Sequence, residues 1–198
     1  MEKRDHLPII LASASPRRRE LLESAGWTVT ARPANVDERL NEDEYPRNYV
    51  ARLARAKAHA VNAPADQIVL GADTAVVISH IFEPEVILGK PASASEASEM
   101  LRQLAANDHE VMTGVCLLRG DREIVEVEVT KVWFSPLSDR EIADYVATGE
   151  CYDKAGAYAI QGRAARHIYR IEGSYSNVVG LPLATVWRAW QQLTSPPD

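Results

Sequence analysis

Five short groups of residues carry side chains that could act on phosphate oxygens. The first is Ser13-Ala14-Ser15-Pro16-Arg17-Arg18. A helix starting at Pro16 would present unpaired N–H groups and partial positive charge, and the hydroxyls and guanidiniums add donors suited to an anion. The same residues also suit a helix capped by Ser15 with its arginines solvated. The second is Lys57, four residues after Leu53 and seven after Val50, which falls on the apolar face of its helix. A lysine there either snorkels to the surface or meets a buried anion. The third is Asp73 in Gly71-Ala72-Asp73-Thr74, expected at the end of an apolar strand, where open α/β sheets bind ligands. Its carboxylate could hold a divalent ion, orient a water, accept a proton or cap its own turn. The fourth is Lys90 in Leu88-Gly89-Lys90-Pro91, brought towards Asp73 if residues 78–86 form a hairpin, and otherwise solvated. The fifth is the acidic pair Asp37-Glu38, which could add a metal ligand or be a polar loop.

None of these signals is specific alone. Together, a basic loop, two lysines and acids able to hold a cation are the components of polyphosphate cleavage, where catalysis is mostly positioning and charge neutralisation. No Gly-x-x-x-x-Gly-Lys-[Ser/Thr] occurs, so the first loop is not of the Walker type. The five histidines show no ligand spacing typical of zinc.

The elements that must position these residues alternate between strand-like and helix-like periods, which predicts an α/β fold. Leu7 to Ala12 reads as a short strand. The helix from Pro16 carries Leu21, Leu22 and Ala25 on one stripe, and Gly26 can end it in a left-handed conformation. Pro46 opens a second helix striped by Tyr49, Val50, Leu53, Ala54 and Lys57. Ile68 to Leu70 reads as a strand running into the Asp73 motif and extended by Ala75 to Ile78. After a polar turn at 79–85, Val86 to Leu88 returns as a strand. Ser93 with Glu96, and Ser138 with Glu141, are capping-box signatures for helices over about 94–106 and up to Gly149. Strands are expected near 109–118 and 123–134 around Gly120-Asp121. The small residues of 153–162 read as a loop that admits a ligand close to the backbone. A strand near 167–171, a Gly-Ser loop and a helix from Pro182 to Leu193 follow.

The chain has 198 residues, 46% hydrophobic and 25% charged, which suits one domain or two fused lobes with a sizeable core. A net charge of −6 disfavours nucleic-acid polymers and anionic membranes. Cys116 and Cys151 are far apart and lack C-x-x-C spacing, which suits two reduced thiols. The N-terminus has no signal-peptide pattern and no apolar run approaches a bilayer span, so a soluble cytoplasmic protein is expected.

At these residues the sequence resembles the Maf family of nucleotide pyrophosphatases, from Ile9 to about Val186. The matching segments are 11–18, Asp37-Glu38, 56–58, 71–74, 88–91 and Thr113-Gly114. Two more are Asp-Lys-Ala-Gly-Ala-Tyr-Ala-Ile-Gln-Gly at 153–162 and Gly-Ser-Tyr-Ser-Asn-Val-Val-Gly-Leu-Pro at 173–182. The resemblance implies a mixed α/β fold, with a twisted sheet and flanking helices around a deep cleft in a single domain. It implies a homodimer that cleaves a nucleoside triphosphate between its α and β phosphates with Mg²⁺ or Mn²⁺. It makes Asp73 the proton acceptor and a metal ligand, with Glu38 near the metal and Ser13, Arg17, Arg18, Lys57 and Lys90 around the phosphates. The segment Ala-Gly-Ala-Tyr-Ala-Ile-Gln-Gly at 155–162 resembles the branch acting on dTTP and UTP, in which the positions of Arg17, Thr74 and Gln161 bear on base choice. A glutamine amide offers a donor and an acceptor to the imide edge of thymine or uracil. The alternatives are a pyrophosphatase for 7-methyl-GTP or CTP, and a nucleotide-binding regulator of cell division. The turn at 79–85 is longer than the family's usual link, which enlarges a hairpin tip near Lys90.

Overall fold

The computed structural model describes residues 7–79 and 84–195. It has a seven-stranded mixed sheet with flanking helices, the α/β class expected. The strands are β1 (Ile9–Leu11), β2 (Val29–Ala31), β3 (Ile68–Ile78), β4 (Val86–Leu88), β5 (Asp108–Arg119), β6 (Arg122–Phe134) and β7 (Ile168–Glu172). The helices are α1 (Pro16–Ser24), α2 (Pro46–His59), α3 (Ala94–Leu104), α4 (Asp139–Val146), α5 (Tyr175–Val179) and α6 (Leu183–Thr194). Strand order is β2-β1-β3-β5-β6-β7, with β4 on β3. The chain divides into two compact units, one of residues 1–73, 113–128 and 180–198, the other of 74–112 and 129–179.

In the first unit β1 pairs in parallel with β2 and with β3, Ile9 opposite Ile68 and Leu11 opposite Leu70. Side chains alternate across a strand, and the two faces of β3 bury against different helices. Ile68, Leu70 and Ala72 join Ile9, Leu11, Leu22 of α1 and Val186, Trp190 and Leu193 of α6 in one core. Val69 joins Ile10, Cys116 and Ala54 and Ala58 of α2 in another. Two glycines allow α2 to approach the sheet. A Cβ on Gly71 would lie 2.1 Å from Ala54 O, and one on Gly114 2.2 Å from Val50 O. Both contacts are with helix backbone, which a side chain cannot displace cheaply.

The second unit has its own core. It joins Val76 and Ile78 of β3, Leu88, Met100 and Leu104 of α3, Ile142 and Tyr145 of α4, Val132 and Phe134 of β6, and Tyr158. Strand β4 pairs antiparallel with β3, Val76 opposite Leu88, and β7 pairs antiparallel with β6. The turn at 79–85 lies mostly outside the described residues. Among the described residues no helix is long and apolar enough to cross a membrane. Cys116 and Cys151 are buried free thiols.

Four expectations about local structure need correction. Asp73 does not end its strand: it is the sixth of eleven residues of β3. Gly71 serves close packing against α2, not a turn, while Ala72 packs on the opposite face with Ile68 and Leu70. Ser15 occupies the N-cap of α1 without a side-chain cap bond; its N–H donates to Ser13 Oγ at 3.2 Å. Helix α4 ends at Val146 rather than Gly149, because Thr148 and Gly149 N–H bond three residues back and Thr148 Oγ1 donates to Tyr145 O at 2.6 Å. The Gly-Ser loop contains the short helix α5, anchored by Asn177 Nδ2 donating to Val111 O at 2.9 Å and Thr130 Oγ1 at 3.0 Å.

Candidate active site

Within the first unit, Gly71 and Asp73 lie on the same face of β3, the face that α2 covers. The glycine brings the helix down, and Lys57, one turn beyond Leu53, then meets Asp73. Lys57 Nζ donates to Asp73 Oδ1 at 2.6 Å. The same nitrogen is 2.6 Å from Glu38 Oε1. Of the two fates open to a lysine on an apolar helix face, this one meets a buried anion: Lys57 and Asp73 are each only 8% exposed. Glu38 is different, with a side chain 54% exposed and a place in a segment that is neither helix nor strand.

The basic loop reaches the same place. Strand β1 leaves β3 at Leu70, where Ala12 N–H donates to Leu70 O at 2.8 Å. Two residues on, the carbonyl of Ala72 accepts from Arg18 Nη1 at 2.7 Å. Arg18 Nε donates to Gly180 O at 2.8 Å, and Nη1 also reaches Ser13 Oγ at 3.3 Å. One guanidinium therefore ties together the serine loop, the residue before Asp73 and the left-handed Gly180 (φ +123°). Arg17 and Arg18 are the second and third residues of α1, both half-buried.

The electrostatics follow from burial. Desolvation raises the pKa of Asp73 above the ordinary aspartate value, Lys57 and Arg18 pull it back, and Glu38 adds to the rise. Desolvation likewise lowers that of Arg18, which Asp73 opposes. A carboxylate pushed upward while held among cations takes a proton more readily than a solvated aspartate.

Thr74, Lys90 and Gln161 belong to the second unit. Thr74 follows Asp73 in β3. The antiparallel register sets Val76 against Leu88, so each later residue of β4 meets an earlier one of β3, and the chain runs on towards Thr74 as exposed Lys90. Gly156 N–H donates to Gly89 O at 3.1 Å, which joins the Lys90 turn to segment 153–162. Gly156 has φ +69° and a Cβ there would lie 2.9 Å from Val76 Cγ1, so the segment sits directly on β3. Gln161 is exposed beyond it. Tyr145 Oη accepts from Ala159 N–H at 3.2 Å, and Glu150 Oε2 accepts from Arg163 N–H at 2.9 Å, one on each side of Gln161.

Three residues at the Asp73 site were missed from the sequence: Tyr49, Arg52 and Glu44. Tyr49 Oη donates to Glu38 O at 2.9 Å, and Arg52 pairs with Glu44. Tyr49 and Arg52 are three apart on α2, a spacing that puts them side by side, but their targets lie on the preceding loop and have no local signature.

An acid in the mixed sheet and a second acid on a neighbouring loop, sharing one lysine beside an arginine-rich helix start, define the type of site. The chain matches the Maf-like protein family model over residues 8–193 and belongs to that family. Similar proteins named dTTP/UTP pyrophosphatase occur in several bacteria. The one from Koribacter versatilis (strain Ellin345) is 51% identical over 182 residues, 91% of each chain. The one from Geobacillus sp. (strain WCH70) is 48% identical over 186 residues, 93% of this chain and 97% of its own. The one from Symbiobacterium thermophilum is 51% identical over 176 residues, 88% of each chain.

Proposed function

We propose that this protein hydrolyses dTTP and UTP to the nucleoside monophosphate and pyrophosphate. The observation that carries this reading is the single ammonium of Lys57 bonded at 2.6 Å to both Asp73 and Glu38, beside Arg18 and the start of α1. A buried acid paired with a buried base, with a second, exposed acid on the same ammonium, suits removal of a proton from water next to a polyanion. The names carried by relatives of about half identity over nearly the whole chain support the choice of substrate.

The donor set fits a divalent cation. Two carboxylate oxygens converge on one cationic nitrogen, so both point at a position where positive charge is favoured. Among the described residues no group of three or more His, Cys, Asp or Glu could form a closed metal cage. Mg²⁺ and Mn²⁺ sites commonly use one or two carboxylates and take remaining ligands from water and substrate phosphates. Asp73 and Glu38 would hold such an ion, which when bound supplies charge neutralisation to the phosphates.

The remaining steps belong to the chain's own residues. The start of α1, Ser13 and Arg17 offer donors to phosphate oxygens, and Arg18 holds Ser13 and the Ala72 carbonyl in place beside them. Lys57 adds positive charge and orients Asp73. Asp73 accepts the proton of a water whose oxygen adds to the α phosphorus; the bridging oxygen leaves with pyrophosphate. Lys90 contributes charge, and Thr74 and Gln161 read the base. Two buried reduced thiols are in keeping with a cytoplasmic enzyme.

Product identification across a panel of nucleoside triphosphates, with Mg²⁺ and with Mn²⁺, tests this. The expected products from dTTP and UTP are monophosphate and pyrophosphate in equal amounts. Release of orthophosphate, or equal turnover of purine triphosphates, would end the reading.

A further inference from the structure

Glu38 is an exposed acid on a segment, residues 32–45, without helix or strand. An exposed ion pair contributes little by itself, and ordering an irregular segment costs conformational entropy at every residue. Its bond to Lys57 therefore does not explain why Glu38 stands where it does. Three contacts from α2 do. Tyr49 Oη donates to Glu38 O at 2.9 Å, and Arg52 Nη2 donates to the next carbonyl, Arg39 O, at 3.0 Å. Arg52 also grips Glu44 with both arms of its fork, Nε to Oε1 at 2.7 Å and Nη2 to Oε2 at 2.6 Å. Glu44 Oε2 in turn accepts from Asn41 N–H at 3.1 Å. The Glu44 side chain is only 9% exposed and that of Arg52 34%, so this pair is partly buried and its acid is better shielded than Glu38. The Arg52 guanidinium lies over the Tyr49 ring, 5.6 Å from its centroid, which keeps the two donors together.

We propose that Tyr49 and Arg52 are positioning residues for Glu38. They hold two consecutive carbonyls of its segment against the helix that also carries Lys57, so that the Glu38 carboxylate converges with Asp73 before any ligand arrives. The consequence for a divalent cation rests on the function proposed above: binding is tight because the second carboxylate is already ordered. A bidentate arginine that also reaches a carbonyl cannot be replaced by a lysine, which is a point donor.

The test uses the whole chain and three variants, Arg52→Ala, Arg52→Lys and Tyr49→Phe, each alone and combined with Glu38→Gln. Mn²⁺ affinity is read by electron paramagnetic resonance without nucleotide, and amide exchange is read by mass spectrometry. Both arginine variants should weaken Mn²⁺ binding about tenfold, as loss of an outer partner of a metal ligand does. Tyr49→Phe, which keeps the ring and loses one hydrogen bond, should weaken it about two- to tenfold. In the Glu38→Gln background none of the three should weaken it further, whereas a general loss of stability would add. Amides of 37–41 should exchange faster in the arginine variants while those of β1 and β3 stay protected. Unchanged exchange at 37–41 overturns the positioning claim, as does full additivity with Glu38→Gln. Wild-type Mn²⁺ affinity in Glu38→Gln alone, with faster exchange in Arg52→Ala, would instead remove Glu38 from the metal site and leave its positioning by Tyr49 and Arg52 standing.

Discussion

Lys57 Nζ lies 2.6 Å from Asp73 Oδ1, with both residues 8% exposed, so the charge on each is held in place by the other. Taking one partner away leaves a buried charge without compensation, which costs more than the pair itself contributes.

Lys57→Met is therefore expected to lower kcat/KM for dTTP by about a hundredfold or more, the scale of one lost electrostatic stabiliser. It should also lower stability by about 1–3 kcal/mol at neutral pH, less than for a fully buried pair, because Asp73 can take up a proton. Chemical denaturation beside steady-state kinetics checks both numbers. A fully active variant would remove Lys57 from the chemistry.

Gly71→Ala should separate packing from chemistry. Its Cβ would lie 2.1 Å from Ala54 O and 2.6 Å from Ala58 N, so α2 must move away from β3. Overpacking of this kind costs about 1–3 kcal/mol, and the shift carries Lys57 from Asp73. Activity should fall although no reacting group has changed. Wild-type kinetics in Gly71→Ala would show that the approach of α2 does not set the site.

Stability should depend on pH through His109. This residue is buried against Phe134 and Tyr158, Nε2 bonds to Tyr158 Oη at 2.8 Å, and burial lowers its pKa from 6.5 to about 4. The folded state then binds the proton less readily than the unfolded state. The group costs nothing above about pH 6.5, and stability falls progressively between there and about pH 4. The total from this one residue is at most about 3 kcal/mol by linkage. In His109→Phe the curve should be flatter over that window, with about 1 kcal/mol lost throughout from the unpaired tyrosine hydroxyl. Identical pH profiles for the two proteins would exclude His109 as the cause.

Gln161→Glu is expected to weaken turnover of dTTP and UTP with little effect on stability, since residue 161 is exposed. A carboxylate removes the amide's donor, so the imide edge loses one of two complementary bonds. The preference for dTTP over a purine triphosphate should fall about 5- to 30-fold, from the range of about 1–2 kcal/mol assigned to a mispaired polar group. An unchanged substrate ratio would take Gln161 out of base selection.

Local signals in the sequence were legible where one short segment supplies all of the interaction. Ser138 and Glu141 form the full capping box, whereas at α3 only half of it forms: Ser93 Oγ accepts from Glu96 N–H, but the Glu96 carboxylate accepts from Ala92 N–H instead of Ser93 N–H. The β5–β6 hairpin turns at Gly120, φ +56°, where a glycine stood between two strand patterns. What depended on distant partners was not legible. Helix α5 has five residues and is held by Asn177 bonds to β5 and β6. Asp73 lies in mid-strand because α2 packs on Gly71, a contact the strand's own pattern cannot signal. At the site, the charges of Lys57 and Asp73 and the arginines of α1 were apparent from type and spacing. The clamp of Tyr49 and Arg52 on the Glu38 segment was not, because its acceptors are backbone carbonyls, which every residue has.

Asp73→Asn tests the proposed chemistry most directly. Asparagine keeps the shape of the side chain and a carbonyl oxygen towards Lys57, but it cannot accept the proton. Pyrophosphate release from dTTP should fall by about a hundredfold to ten-thousandfold, the range for loss of a general base, while thermal unfolding shows a folded protein. Turnover within a few-fold of the unsubstituted enzyme, in a folded Asp73→Asn protein, would contradict the assignment of Asp73 as proton acceptor.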